Sequence, residues 1–272
     1  MKLSIIHNLY HRNEFVNQST RLNIMALESS GIDYQYILFN DKGDKDIKKD
    51  IKEFLDNPNV EYVYSKVNYG RKMCPGGWIG ALPYVKGELL QSTDQDDVMT
   101  TALYKLSLKV FEENPDIYMT HTNCFIVNQH LEIISSGINP AFTPDYSKPL
   151  DMFKLWFGIE EPLNQVTRAN NNVMHAGTIY RLSLHDAIGL PDIKFRGAYD
   201  FEYWARILFN EYKCQFINLP LWLYRKSQYS AGNEIIQGKK NRGTAENPGW
   251  QQLNIQEIKD KYFKLWEEKK KS

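Results

Sequence analysis

The chain has 272 residues, of which 42% are hydrophobic and 24% charged. That is enough apolar material for a sizeable core, and it excludes a disordered chain, a collagen-like repeat or a coiled coil as a description of the whole. Lys plus Arg and Asp plus Glu number 33 each, so the formal net charge is zero, and the basic excess by which nucleic-acid binders displace counterions is missing.

The first sixty residues alternate strand and helix. Leu3–His7 is a short apolar, β-branched run that reads as a buried strand. Asn13–Ser29 carries Phe15, Ser19, Leu22 and Ala26 at helical spacing and stops at Gly31. Tyr34–Phe39 is a second strand ending in the turn Asn40-Asp41-Lys42-Gly43; Lys45–Leu55 is expected as a charged helix, and Val60–Tyr64 as a third strand. This alternation is the signature of a parallel sheet with crossover helices. A Gly-rich stretch, 70–80, leads into a helical segment Ile79–Val85, and Glu88–Thr93 is a fourth strand. A helix with Leu103, Leu106 and Val110 on one face follows, then strands Ile117–Val127 and Leu131–Ile134.

From residue 135 the pattern becomes irregular, with Pro140, Pro144, Pro149 and Pro162 and one short helix, Leu150–Phe157. Asp200–Glu211 reads as a helix, Phe216–Leu219 and Leu221–Tyr224 as short strands, Gln237–Gly249 as a mobile loop, and Ile255–Lys270 as a charged helix with Ile258, Tyr262 and Leu265/Trp266 as its apolar stripe. The expected organisation is 1–134, 135–235 as the second half of the same domain, and 236–272 as loop and terminal helix.

The most informative stretch is Ser92-Thr93-Asp94-Gln95-Asp96-Asp97. Three carboxylates crowd the carboxyl end of a buried strand, where open α/β sheets bind ligands. Carboxylates so close repel one another unless a cation intervenes, and hard oxygen ligands suit Mg²⁺ or Mn²⁺. The competing reading is an Asp-rich turn in which Asp96 or Asp97 caps the next helix.

Several motifs in order resemble family 2 glycosyltransferases of the GT-A fold. The opening Leu3-Ser4-Ile5-Ile6-His7-Asn8-Leu9-Tyr10 resembles that family's first strand and nucleotide loop. Gly87-Glu88-Leu89-Leu90 followed by Thr93-Asp94-Gln95-Asp96-Asp97 resembles its fourth strand and D-x-D-D segment, in the form seen in bacterial rhamnosyltransferase-type members. Glu112-Glu113-Asn114-Pro115-Asp116 matches a frequent ending of the next helix. Tyr199-Asp200-Phe201-Glu202-Tyr203-Trp204-Ala205-Arg206 resembles the E-D-x-D-x-W-x-R helix, and Tyr224-Arg225 through Ser230 its tail. The resemblance spans about residues 1–230.

It implies a GT-A-like α/β fold: a mostly parallel central sheet flanked by helices, a nucleotide-sugar half and a less regular acceptor-side half. It implies an inverting, metal-dependent transfer from a nucleoside diphosphate sugar, with a UDP or dTDP donor favoured, to a hydroxyl of a glycan, lipid-linked or protein acceptor. Asn8, Tyr10 and Asp41 would touch the nucleoside, while Asp94 would lie near the ribose or the metal. Asp94 and Asp96 would ligate Mn²⁺ or Mg²⁺, which offsets charge on the leaving diphosphate. Arg71, Lys72 and Arg225 are the basic candidates for base or phosphate contact. Asp200 aligns with the catalytic base that removes the acceptor proton, with Glu202 as second choice. Two departures stand out: Tyr199 replaces the usual Glu before that Asp, and Ser227 stands where many members have a His.

No P-loop, no Gly-x-Gly-x-x-Gly after the first strand, no Gly-x-Ser-x-Gly and no His-Glu-x-x-His is present. A sugar-phosphate nucleotidyltransferase would want a Gly-rich loop after strand one, and residues 8–13 are not Gly-rich. A non-catalytic nucleotide- or glycan-binding relative is the other alternative, favoured by the two departures. The three cysteines, Cys74, Cys124 and Cys214, form neither a disulfide framework nor a Cys-x-x-Cys pair, which fits a reducing compartment. The opening apolar run is too short for a signal peptide, and no apolar run is long enough to cross a membrane. The expectation is a cytoplasmic protein, with Lys269-Lys270-Lys271 leaving peripheral membrane contact open.

Overall fold

The computed structural model describes residues 2–10, 13–43, 46–69, 76–136, 148–157, 176–226 and 250–271. Strand β1 (Leu3–Leu9) is buried at every position except the half-buried Asn8. A 3₁₀ turn leads to α1 (Val16–Ser30), which stops at Gly31 with φ 72°, a left-handed cap that glycine adopts without a Cβ penalty. β2 (Tyr34–Asn40) is buried throughout, and β3 (Val60–Tyr64) follows. The helix expected over 45–55 is not formed among the described residues. Ile47, Ile51 and Phe54 are buried anchors, but the chain meets their spacing with successive turns and a short 3₁₀ turn, Lys52–Phe54. Three apolar anchors in a charged stretch are too few to hold a full amphipathic helix.

Then come α2 (Gly76–Ala81), β4 (Leu89–Asp94), the two-residue β5 (Val98–Met99), α3 (Thr101–Glu113), β6 (Ile117–Val127) and β7 (Ile133–Ser136). The second half supplies α4 (Pro149–Phe157), β8 (Ile179–Arg181), α5 (Leu184–Ile188), a 3₁₀ turn Ile193–Ala198, α6 (Tyr199–Phe209), β9 (Lys213–Arg225) and α7 (Trp250–Lys269). β9 is one long strand where two short ones were expected. Pro220, which cannot donate to a ladder, sits opposite Asn123, where the β6–β9 register shifts.

All strands among the described residues belong to one mixed sheet ordered β3-β2-β1-β4-β8-β6-β9-β5, with β7 on β6. The first four are parallel; β8 pairs antiparallel with both β4 and β6. Alternating side chains feed two cores. Leu3, Ile5, Leu27, Tyr36, Leu103 and Phe111 lie on the α1/α3 face; Ile6, Phe39, Trp78, Phe201, Trp204 and Tyr262 lie on the α2/α6/α7 face. From β1 the order runs one way to β2 and β3 and the other way to β4. In open α/β sheets such a reversal marks a crevice outside the carboxyl ends of the strands, where ligands bind; here it falls at the ends of β1 and β4. Asn8 and Asp94 are register partners at the carboxyl ends of these two neighbouring strands.

Candidate active site

β4 delivers Asp94 to the lip of this crevice, and the following turn is held from several sides. On α1, Ser19 Oγ donates to the Gln95 carbonyl at 2.6 Å. One helical turn later, Asn23 donates from Nδ2 to the Asp97 carbonyl (3.2 Å) and accepts from the Met99 amide (2.7 Å). The Tyr10 amide donates to Gln95 Oε1 at 3.2 Å, tying the loop after β1 to the acidic turn. From β9, Arg225 donates through Nε to the Asp96 carbonyl (3.0 Å) and through Nη1 to the Gln129 carbonyl (2.7 Å). Its guanidinium lies 4.4 Å from the Phe15 ring centroid.

These contacts sort the carboxylates. Asp97 is 2% exposed; burial, then the charges of Asp96 and Asp94, push its carboxyl well above the usual range, with Arg225 opposing. Asp94 keeps contact with solvent. Crowding by surrounding protein, then the charges of Asp96 and Asp200, push its carboxyl up to about 6. Because solvent still reaches the side chain, the two like charges are the part of that rise that matters. Neither Asp96 nor Asp97 caps α3: Thr100 does, its Oγ1 accepting from the Leu103 amide at 3.2 Å. The turn's acids are therefore not explained as a helix cap.

Asp200 enters from the other half of the chain, in the first turn of α6, where the helix dipole favours a carboxylate. Its Oδ1 accepts from the Phe201 amide at 2.8 Å, and its charge is felt at Asp94. Asp94, Asp96 and Asp200 thus share one electrostatic neighbourhood.

Glu202 is placed differently from the expectation. It is fully buried, and both its oxygens are engaged: by Arg206, by Lys261 Nζ at 2.8 Å and by Tyr262 OH at 2.9 Å. Burial opposes its ionisation, but the bonds and charges of Arg206 and Lys261 outweigh that and hold its carboxyl below the usual range. Arg225 also departs from the expectation. It is 1% exposed and turned to backbone carbonyls beneath the acidic turn, which is no position for a phosphate contact.

On the β1 side, Asn8 donates from Nδ2 to Ser92 Oγ (2.8 Å) and the Thr93 carbonyl (2.9 Å), bracing β1 against β4. A Cβ on Gly77 would come within 2.1 Å of Asn8 Oδ1, so glycine permits α2 to lie against the crevice. Tyr10 is 40% exposed at the rim. Asp41 is buried and accepts from the Tyr69 amide at 2.7 Å. Arg71, Lys72, Cys74, Ser227 and the loop expected over 237–249 lie outside the described residues.

Residues beneath the site that sequence reasoning passed over are Asn23 and His7. His7 Nδ1 meets Tyr36 OH at 2.6 Å, and Asn23 Nδ2 donates to the same hydroxyl at 3.2 Å. Burial pushes His7 down to about 4, so it is a neutral structural ring. The available signal was polar Ser19 and Asn23 one turn apart on the buried face of an otherwise ordinary helix. Among the described residues no group of three or more His, Cys, Asp or Glu is arranged to hold a metal ion.

No protein-family model and no curated protein matches the chain. Solved structures do. TarS residues 1–349 from S. aureus superposes with a TM-score of 0.57 at 13% identity, over 83% of this chain and 60% of that one. Its complex with UDP-GlcNAc gives 0.54 at 15%, over 83% and 59%. A mannosyltransferase from Pyrobaculum calidifontis, in complex with GDP-Man and Mn²⁺, gives 0.56 at 12%, over 86% and 59%. The fold is GT-A. The GT-A fold was the expectation carried by the resemblance, and at these identities the likeness concerns fold alone. The chain spans about 60% of the length of these neighbours.

Proposed function

We propose that the chain is a glycosyltransferase that moves a sugar from a nucleoside diphosphate sugar to an acceptor hydroxyl, with inversion at the anomeric carbon. What supports this reading is that Asp94 ends β4 of a GT-A frame beside Asn8 of β1, with Asp96 two residues on, and that the charges of Asp96 and of Asp200, about a hundred residues away in the chain, both raise the Asp94 carboxyl. Neighbours on this fold bind UDP, UDP-GlcNAc and GDP-Man, which supports a nucleotide-sugar donor and adds GDP to the UDP and dTDP donors favoured by sequence.

The like-charged Asp94 and Asp96 fit a divalent cation, Mn²⁺ or Mg²⁺, with donor phosphates completing its shell, since Mg²⁺ typically takes only one or two carboxylates. When bound, such an ion would offset charge on the departing diphosphate. Asp200 is the proposed base. It takes the acceptor hydroxyl proton as that oxygen bonds to the anomeric carbon, and the bond from that carbon to the diphosphate oxygen breaks, releasing the nucleoside diphosphate. Asn8, Tyr10 and Asp41 are the residues proposed to meet the nucleoside. Arg225 holds the acidic turn, and Glu202 is a structural residue. The acceptor is a glycan, a lipid-linked saccharide or a protein; no described helix is long and apolar enough to cross a membrane.

The test is calorimetric titration of UDP, dTDP and GDP, with and without Mn²⁺, into the native protein and Asp96→Ala. Binding of at least one nucleotide that requires Mn²⁺ and disappears in the variant is expected. A folded native protein that binds none of the three would overturn the proposal.

A further inference from the structure

We infer that the C-terminal helix α7 is part of the catalytic apparatus, setting the position of Asp200 through a buried grip on Glu202. This rests on the reading of Asp200 as the base.

Glu202 and Asp200 are two residues apart on α6, so they project from nearly opposite sides of the helix. Pinning the Glu202 side into the protein turns the Asp200 side toward the crevice. The pin is α7: Lys261 Nζ and Tyr262 OH both bond Glu202 Oε1, at 2.8 and 2.9 Å. Arg206, one turn along α6, bonds both Glu202 oxygens and also donates to the Ile188 carbonyl (2.8 Å) and the Leu190 carbonyl (3.0 Å), which ties α6 to the end of α5. A second grip precedes Asp200. Lys194, in the 3₁₀ turn that enters α6, pairs with Glu257 of α7 at 2.9 Å, and the Lys261 amine lies 5.4 Å from the Phe195 ring centroid. So α7 holds both the approach to α6 and its first turn.

Packing alone would not require charges here. Tyr262 and Trp266 already bury apolar surface against Phe153, and replacing a buried ion pair by apolar groups is often neutral or stabilising. A buried carboxylate with three directional donors supplies what apolar contacts do not: it fixes the rotation and the axial position of α6. A base must be within hydrogen-bond reach of the proton it removes, so a small rotation of α6 is felt in turnover before it is felt in donor affinity, which depends on β1 and β4.

The experiment compares Lys261→Met, Lys261→Arg, Tyr262→Phe and Asp200→Asn in the full chain. Each is assayed for Kd of UDP and GDP with Mn²⁺ and for nucleoside diphosphate release from UDP-GlcNAc, dTDP-rhamnose and GDP-mannose, with water taking the sugar in place of the acceptor hydroxyl. Lys261→Met is expected to slow release roughly tenfold, as misplacement of a reacting group does, with nucleotide Kd and circular dichroism unchanged. Tyr262→Phe should show a smaller loss, and Lys261→Arg should restore most of the rate. Native turnover in Lys261→Met beside an inactive Asp200→Asn overturns the inference and leaves the base reading intact. Asp200→Asn turning over like the native chain, or a native chain that releases nothing from any donor, overturns the base reading and the inference with it.

Discussion

Replacing Arg225 by Met separates two accounts of this residue. If Arg225 gripped the donor diphosphate, its loss would weaken nucleotide binding and leave the fold alone. The structure instead gives it two bonds to backbone carbonyls, Asp96 at 3.0 Å and Gln129 at 2.7 Å. Hydrogen bonds from a charged donor contribute about 1.5–3 kcal/mol each, so the pair accounts for about 3–6 kcal/mol. Relief of the desolvation cost of a buried guanidinium moves the net effect toward the lower end. At about 2.1 cal/mol/K per residue, a chain of 272 residues loses roughly 5–10 °C of Tm for that change. The turn carrying Asp94 and Asp96, the proposed metal ligands, would loosen as well, and loss of a group that orients metal ligands typically costs 10–100-fold in affinity. Thermal melts and Mn²⁺-dependent nucleotide titrations should therefore fall together. A variant that melts within about 2 °C of the native protein while losing nucleotide binding would refute the positioning role and reinstate a phosphate contact.

Three further outcomes follow from single residues. His185 is pushed down to about 4 by burial, against the pull of Asp186, so it stays neutral in the fold while the unfolded chain protonates near 6.5. Stability should fall as pH drops from about 6.5 to 4, by at most about 3 kcal/mol, and denaturant melts of His185→Gln should show a flatter slope over that window. Gly77→Ala would set a Cβ 2.1 Å from Asn8 Oδ1; a loss of about 1–3 kcal/mol is expected, and an unchanged melting curve would mean that Asn8 swings aside freely. Thr100→Ala removes the α3 cap and should cost about 1 kcal/mol, read as a Tm lower by roughly 2 °C.

What was legible in the sequence divides by the distance over which each signal acts. The apolar runs of β1, β2, β3, β4 and β6 report burial of the strand itself, and their positions agree with the structure to within one or two residues. The carboxylates Asp94, Asp96 and Asp97 drew notice because they follow such a run directly. Where sequence reasoning failed, the deciding partner was elsewhere in the chain or in the choice between two local solutions. Ile47, Ile51 and Phe54 have helical spacing, yet turns satisfy it as well. Asp96 and Asp97 stood as candidate caps of α3; Thr100 takes that place, while the acidic turn is held by Ser19 and Asn23 instead.

Arg225 and Glu202 are the instructive cases. Each sits in a motif resembling a catalytic or binding segment, and each is a charged residue that surface statistics would place in solvent. Glu202 has one local partner, Arg206, four residues on; the others, Asp96 and Gln129 for Arg225 and Lys261 and Tyr262 for Glu202, lie between 59 and 129 positions away. No local window contains both ends of such a bond. The same long-range closure explains why the site needs the whole sheet order. β9 must return beside β6 to bring Arg225 under the turn after β4, and α7 must cross α6 to turn Asp200 toward the same crevice. A substitution in α7, more than fifty residues from Asp200, is therefore expected to act on the proposed chemistry sooner than one on the exposed surface of α3, which lies nearer the acidic turn in sequence.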